Sequence, residues 1–236
     1  MSYYRKYGKK SPVNFTPRGE KFFRNPFSPR HCVLALPFDE GAGSIAYDKS
    51  GNGNNGTIYG ATWVDGKFGK ALSFNGSTDY VEVPHSSSLY LDGDFTVLVW
   101  ATLERTPIDY GGVIDKGRNS FTDFYFLSIP GNNCFLWGIF FIDNTKLEQW
   151  FPAVTLGQWN FYAFGVEGSN MFTSFNGGAK TYNAFTKTRK IGTLRLTLGC
   201  RNDFTIFEKV KLDQGRVYSR ALSEDEISDL YNYYNF

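Results

Sequence analysis

The sequence is poor in the residues that carry most protein chemistry. Its 236 residues include two histidines, two methionines and three cysteines. His31 lies in a basic segment and His85 in a serine-rich turn, and neither has an obvious nucleophile and orienting acid with which to form a catalytic triad. No C-x-x-C motif occurs among Cys32, Cys134 and Cys200, so we expect small buried apolar side chains instead of a redox or metal site.

Long apolar runs are also missing. The longest, 135–142, falls far short of the roughly 20 residues that cross a bilayer. Residues 1–31 lack the apolar region and the small-residue cleavage site of a signal peptide, so we do not expect one there. A hydrophobic fraction of 42% and an aromatic fraction of 18% exclude wholesale disorder. The chain is long enough to bury a full core.

Catalytic constellations are hard to assemble from this sequence. No predicted strand carries two alternating carboxylates, as a glycoside hydrolase site would require. The segment 51–56 matches the expression G-x-G-x-x-G, but no apolar strand precedes it and no helix follows it. We therefore predict a multi-turn loop at 51–56 and a protein without enzymatic activity.

The sequence does have a strong charge asymmetry. Its net charge is +2, yet residues 1–31 hold eight basic residues and one acidic residue, a net charge of +7. The other 17 basic and 22 acidic residues leave −5. Four of the nine prolines lie in the basic segment and exclude a continuous helix there. We predict an extended basic, aromatic-rich arm over 1–31 and a separate folded domain over 32–236.

Three interpretations of this arm are open. It is a solvated tail, or it binds a nucleic acid through phosphate contacts and base stacking, or it packs on neighbouring copies of the chain. We favour packing in a homo-oligomer or multi-copy assembly, because opposite charges on arm and domain attract between copies. The predicted assembly residues are Tyr3, Tyr4, Arg5, Lys6, Tyr7, Lys9, Lys10, Phe15, Arg18, Phe22, Phe23, Arg24 and Phe27.

Short apolar segments alternate with turn signals from residue 32 onward. The segments are rich in Val, Ile, Phe, Tyr and Trp, and clusters such as 75–77 and 176–178 supply the Asn-Gly pairs of tight turns. Ten or more short strands at regular spacing predict an all-β antiparallel sandwich or jelly roll. The predicted strands are 32–36, 71–74, 80–83, 95–103, 112–116, 124–129, 135–142, 159–165, 171–175, 195–198 and 215–218.

One short C-terminal helix interrupts this pattern. Ser223 and Glu226 form a capping box, and Ile227, Leu230 and Tyr231 follow as an apolar stripe. We predict a helix over 224–233 that seals one end of the sandwich.

An oxygen-rich loop lies near the first strand. Asp48, Asn52, Asn54 and Asn55 crowd a glycine-rich stretch. Ca²⁺ binds six to eight such oxygens, and an ordinary cluster of Asx turns has the same composition. The residues alone leave both interpretations open.

Three motifs resemble a known family. They are LPFDEGAGSIAYDKSGNGNNGT at 36–57, GKFGKALSFNG at 66–76 and DQGRVYSRALSEDEI at 213–227. Together with intervening matches over about 33–231, they are similar to the laminin-G-like, concanavalin A-like jelly-roll modules. The resemblance implies two curved antiparallel sheets and no intrinsic catalysis. The arm lies outside it.

The same resemblance implies a structural Ca²⁺ site. The family's early Asp falls on Asp48, its Gly/Asn loop on 52–56 and its late Asp on Asp213, which brings Asp48, Asn52, Asn54 and Asp213 together as predicted ligands. Asp213 is followed by Gln-Gly-Arg where the family usually has Glu-aliphatic-Arg. Some such modules bind glycans or partner proteins, but the resemblance assigns no glycan-binding residue here.

Two functions follow from these observations. The first is a structural protein of a virion or an extracellular surface assembly, in which the sandwich forms a shell or capsid and the arm ties copies together. The second is a Ca²⁺-dependent, glycan-binding adhesion module. We expect no membrane span in either case.

Overall fold

Alternating apolar residues build a sandwich of two antiparallel sheets. The computed structural model describes residues 31–117 and 123–233. In chain order its strands are β1 (Cys32–Leu36), β2 (Ile45–Ala46), β3 (Gly56–Tyr59), β4 (Thr62–Asp65), β5 (Lys70–Ser73), β6 (Tyr80–Val83), β7 (Phe95–Leu103), β8 (Gly112–Lys116), β9 (Phe124–Ser128), β10 (Phe135–Phe140), β11 (Lys146–Trp150), β12 (Asn160–Glu167), β13 (Asn170–Phe175), β14 (Thr181–Ala184), β15 (Leu196–Leu198) and β16 (Val210–Tyr218). One α-helix, α1, spans Glu224–Tyr233, and a single 3-10 turn spans Ser87–Leu89.

The strands divide equally between the two sheets. Sheet one has the order β14-β13-β12-β7-β16-β5-β4, with β1 also paired to β16. Sheet two has the order β11-β10-β9-β8-β15-β6-β3-β2. The first and last strands are therefore neighbours, as expected for the jelly roll. The fold-class prediction is confirmed.

The main core lies between the sheets. On β7, Phe95, Val97 and Val99 point into it, whereas Leu98 and Trp100 point to the outer face of sheet one. Successive side chains of a strand point to opposite faces, so a strand that is apolar throughout covers two hydrophobic layers. Each fully buried large side chain contributes about 1.5–3 kcal/mol through burial.

Helix α1 has the predicted bounds and capping box. The Glu226 amide donates to Ser223 Oγ at 3.2 Å, and the Ser223 amide donates to Glu226 Oε2 at 2.9 Å. Arg220 donates to both carboxylate oxygens of Glu226 at 2.7 Å. This bidentate pair holds the pKa of Glu226 at about 2. The predicted position at one end of the sandwich was wrong, because Ile227 and Leu230 pack on the outer face of sheet one.

Five strands were missed by the sequence analysis: β2, β3, β4, β11 and β14. Four of them are the edge strands of the two sheets. An edge strand is half exposed, so its sequence is short and mixed, as in the Lys-Leu-Glu-Gln-Trp of β11. The segment 51–56 is a loop as predicted, except that its last residue begins β3.

The last strand is also longer than predicted, beginning at Val210 instead of Gly215. A bulge between Asp213 and Arg216, with Gln214 at a φ of 52°, interrupts the alternation that would have revealed it. The remaining predicted strands agree within two residues at each end. All three cysteines are buried and free, which confirms their interpretation as apolar side chains.

The predicted basic arm precedes the residues that the structure describes. The predicted assembly residues, from Tyr3 to Phe27, lie outside the described residues. The domain boundary at residue 32 and the assembly role therefore stay predictions.

Candidate functional site

A groove of about 210 Å³ lies on the outer face of sheet two. A row of residues runs across its strands: Asp115 on β8 is opposite Tyr125 on β9, which is opposite Gly138 on β10, which is opposite Glu148 on β11. Their apolar neighbours along each strand belong to the core between the sheets, so strand alternation places this row on the outside. The row forms the polar floor of the groove.

Gly138 is required for the shape of this floor. A Cβ at position 138 would lie 2.5 Å from Cζ and Oη of Tyr125, so the Tyr125 ring lies directly over β10. Tyr125 Oη then reaches across to donate to Glu148 Oε1 at 2.7 Å. Burial, reinforced by this hydrogen bond, raises the pKa of Tyr125 far above its usual range. The phenol is therefore a fixed donor in the floor.

Apolar and aromatic side chains flank the polar row. Leu127, Leu136 and Trp150 form the next row on one side, in register across β9, β10 and β11. Phe140 lines the other side, and its ring centroid lies 5.6 Å from that of Tyr125. Trp150 is 56% exposed, whereas its neighbour Leu136 is buried. The indole is thus an open apolar surface beside buried polar groups.

Asp115 lies at the inner end of the row. Its Oδ2 accepts a hydrogen bond from the Asn202 amide at 3.1 Å, while the buried Oδ1 has no hydrogen-bond partner among the described residues. Burial raises the pKa of Asp115 to about 8, and the Asn202 hydrogen bond and the Arg201 charge only partly oppose this. The raised pKa favours the protonated form of this carboxyl, which lines the groove.

The remaining charged groups lie nearer the rim. Lys146 Nζ contacts Glu148 Oε1 at 2.7 Å, so these two opposite charges are paired. Arg201 follows β15 and also lines the groove. Within residues 31–117 and 123–233, its guanidinium has no hydrogen-bond or ion-pair partner. Tyr110 adds a 43% exposed ring at the rim.

The predicted Ca²⁺ ligands near β1 form a hydrogen-bonded loop. Asp48 Oδ1 accepts from the amides of Ala35 and Ser50 at 2.9 Å each, and Oδ2 accepts from Ser50 Oγ at 2.7 Å and the Asn54 amide at 2.9 Å. Asn52 donates to the Cys32 carbonyl oxygen at 3.1 Å. These bonds are those of an Asx-turn cluster that ties the loop to β1. A cation bound at Asp48 would have to compete with four donors of the chain itself.

Asp213 makes different contacts. Its Oδ2 accepts from the Phe68 amide at 2.9 Å, and Oδ1 is buried without a hydrogen-bond partner among the described residues. Burial raises the pKa of Asp213 to about 7. No cluster of three or more His, Cys, Asp or Glu suited to a metal occurs in the described part of the chain. Asp48 and Asp213 are thus each held by separate backbone donors, and the shared Ca²⁺ site stays a prediction.

Sequence reasoning assigned no residue of the groove. One signal was present: 124–129 and 135–142 are apolar at both alternating positions, which an exposed sheet face does not require. The alternating positions that point away from the core include Leu127, Leu136 and Phe140. What the sequence did not show is which strands lie side by side, and that alignment creates the groove.

A family model identifies the class of protein to which this fold belongs. The family model Laminin_G_3, described as the concanavalin A-like lectin/glucanases superfamily, matches residues 75–228. The chain belongs to that superfamily. This confirms the resemblance seen in the sequence.

Two of the solved structures with a similar fold are binding domains. The binding domain of Paraclostridial Mosquitocidal Protein 1 is similar at a TM-score of 0.71 and 19% identity, covering 86% of this chain and 52% of that one. The botulinum neurotoxin serotype G binding domain is similar at a TM-score of 0.70 and 16% identity, and the match covers 86% of this chain and 51% of that one. The chain therefore spans about half the length of these domains.

A third neighbour matches over nearly its whole length. Domain 4 of AbnA, a GH43 extracellular arabinanase from Geobacillus stearothermophilus solved with arabinotriose, has a TM-score of 0.67 and 20% identity, covering 85% of this chain and 98% of that one. A search of curated proteins finds no significant match. In the described residues, no helix has the length and apolar character needed to cross a membrane.

Proposed function

We propose that this protein is a non-catalytic carbohydrate-binding module whose ligand lies in the groove on sheet two. The observation that carries the proposal is the exposed Trp150 beside the polar floor of Asp115, Tyr125 and Glu148. A sugar has apolar C–H faces that pack on an aromatic ring and hydroxyls that need fixed donors and acceptors. Ligand sites generally combine an apolar lining with a few convergent polar groups in this way.

The size of the groove and the fold both support this proposal. About 210 Å³ is below the roughly 300–1,000 Å³ of pockets for drug-sized ligands, so a short stretch of a saccharide fits better than a large folded partner. The fold is shared with two binding domains and with an arabinanase domain solved with an oligosaccharide. The superfamily also contains glucanases, so the absence of catalysis is part of the proposal.

A glycan array with purified protein tests the assignment. Trp150→Ala should lose the wild-type hits by at least tenfold in apparent affinity, because truncating an exposed stacking ring removes contact area without disturbing the core. Tyr90→Ala is the matched control, since Tyr90 is 45% exposed outside the groove. An array without hits for wild type, or equal hits for wild type and Trp150→Ala, would show that the groove is not a glycan site.

We also propose the assembly role as a second function, carried by the charge difference between the arm and the domain. Residues 1–31 have a net charge of +7 and the remainder −5. The predicted setting is a virion or surface assembly with several copies of this chain. Deleting residues 1–30 should leave a folded sandwich but abolish oligomers in mass photometry. Oligomers that persist after the deletion, or a full chain that is monomeric, would contradict this role.

A further inference from the structure

The groove lining has two basic and two acidic groups, and they differ in whether the protein itself supplies a partner. Lys146 and Glu148 pair with each other at 2.7 Å, and Asp115 is 5% exposed with one unpartnered oxygen. Arg201 is the groove cation that no acceptor in the described residues engages. The buried Asp115 carboxyl lines the groove close to Arg201, and burial raises its pKa, which favours the protonated form.

This arrangement fits an anionic ligand better than a neutral one. A guanidinium presents paired N–H donors whose geometry matches a carboxylate, and such charge-assisted bonds are about twice as strong as neutral ones. A protonated carboxyl is a donor and does not repel a ligand carboxylate. The two groups lie on adjoining elements, since the Asn202 amide beside Arg201 bonds to Asp115.

Building on the carbohydrate-binding function, we propose that the groove selects saccharides that bear a carboxylate, with Arg201 as the partner of that carboxylate and Asp115 as a hydrogen-bond donor next to it. The sugar ring packs on Trp150, and the acidic substituent points toward the inner end of the polar row. Neutral saccharides of the same ring structure can pack on Trp150, but they lack the carboxylate that Arg201 would bind.

Binding of an acidic saccharide in this groove should depend on pH. The groups around Asp115 are Cys200, Arg201 and Asp203 on the loop after β15, and Tyr125 on β9. The Tyr125 hydroxyl donates a hydrogen bond to Glu148 of β11. Burial raises the pKa of Cys200 to about 12 and that of Tyr125 well above its usual range, so neither titrates below pH 9. Ionisation of Asp115 above about pH 8 replaces a donor with a negative charge and weakens binding of an acidic sugar.

Isothermal titration with matched ligands tests this inference. Trigalacturonate is compared with a neutral galactose trimer, and sialyllactose with lactose, at pH 6.5 and pH 9. Wild type should bind the acidic member of at least one pair tenfold or more tightly, and this preference should shrink at pH 9. Arg201→Gln should abolish the preference, whereas Arg195→Gln, which removes a cation paired with Glu82 elsewhere on the same face, should leave it intact.

Several outcomes separate this inference from the proposed function. If neutral and acidic sugars bind equally and Arg201→Gln changes neither, the carboxylate preference is wrong while carbohydrate binding stands. If Trp150→Ala leaves all binding unchanged, the carbohydrate site itself is wrong. A preference for a sulfated trimer over trigalacturonate would overturn the carboxylate assignment in favour of another anion. Asp115→Asn, which stays neutral, should show no loss of acidic-sugar affinity between pH 6.5 and 9, and a wild-type-like loss would remove Asp115 from the inference.

Discussion

The two outer faces of the sandwich both carry apolar side chains, but they differ in what covers those side chains. On sheet one, the outward residues Leu98, Trp100 and Phe161 are buried beneath α1. On sheet two, the outward residues Tyr125, Leu127 and Leu136 form a cluster of the same kind. The helix covers the first, and a groove opens over the second.

This difference indicates how an apolar sheet face becomes a binding site. Alternation with apolar residues at both positions gives each sheet two hydrophobic layers, and one helix is available in the described residues to cover them. On sheet one Tyr231 of α1 stacks on Trp100 with ring centroids 5.5 Å apart. On sheet two no helix of the described chain takes that place, and the polar row of Asp115, Tyr125 and Glu148 supplies directional contacts for a ligand.

The largest expected effect tests the comparison through its two tryptophans. Trp100→Ala should lower the free energy of unfolding by about 3–5 kcal/mol, because Trp100 is 1% exposed and its loss leaves a cavity under α1. Trp150→Ala should change it by no more than about 0.5 kcal/mol, since Trp150 is 56% exposed. Urea unfolding followed by fluorescence measures both. Equal destabilisation would mean that the two faces are not different in kind.

The next effect concerns the loop around Asp48, which is hydrogen-bonded to β1 of sheet one. Asp48→Ala should destabilise the protein by about 2 kcal/mol, because four hydrogen bonds to its carboxylate are lost. The predicted Ca²⁺ site adds a separate expectation: Ca²⁺ should raise the melting temperature of wild type, and Asp48→Ala and Asp213→Ala should both remove this rise. If chelator leaves wild-type melting unchanged, the metal prediction is wrong and the hydrogen bonds explain the loop by themselves.

Sequence reasoning reached the fold but not the groove, and the reason is physical. Strand alternation, turn chemistry and the Ser223–Glu226 capping box are local signals, and they predicted most strands and the bounds of α1. The groove depends on register: Asp115 and Glu148 are 33 positions apart and meet because β8, β9, β10 and β11 align in one order. The position of α1 depends on the sheet face against which its apolar stripe packs, and local signals do not contain that information either.

The open face also carries a buried carboxyl whose titration should affect stability. The pKa of Asp115 is raised to about 8 in the folded protein, whereas an unfolded Asp titrates near 4. The folded state therefore holds an extra proton between about pH 4 and pH 8, and its contribution to stability is lost as pH rises through that window. Asp115→Asn should remove this contribution to the pH slope, which for one proton is at most about 1.4 kcal/mol per pH unit. Urea titrations at pH 5, 6.5 and 8 measure it, and identical slopes in the variant and wild type would mean that Asp115 is ionised in the folded protein.

The smallest expected effect concerns the N-terminal cap of α1, the helix that covers sheet one. Ser223 Oγ accepts the Glu226 amide at 3.2 Å, so Ser223→Ala should cost about 1 kcal/mol by leaving that donor of α1 without its cap. Ser223→Asp, which can still accept this bond, is the matched control and should stay near wild type. Because α1 lies on sheet one and the groove on sheet two, neither change should alter glycan affinity at a temperature where the protein is fully folded. A loss of glycan binding in Ser223→Ala under those conditions would show that the two faces are coupled. The packing of α1 on sheet one would then influence the shape of the groove on sheet two.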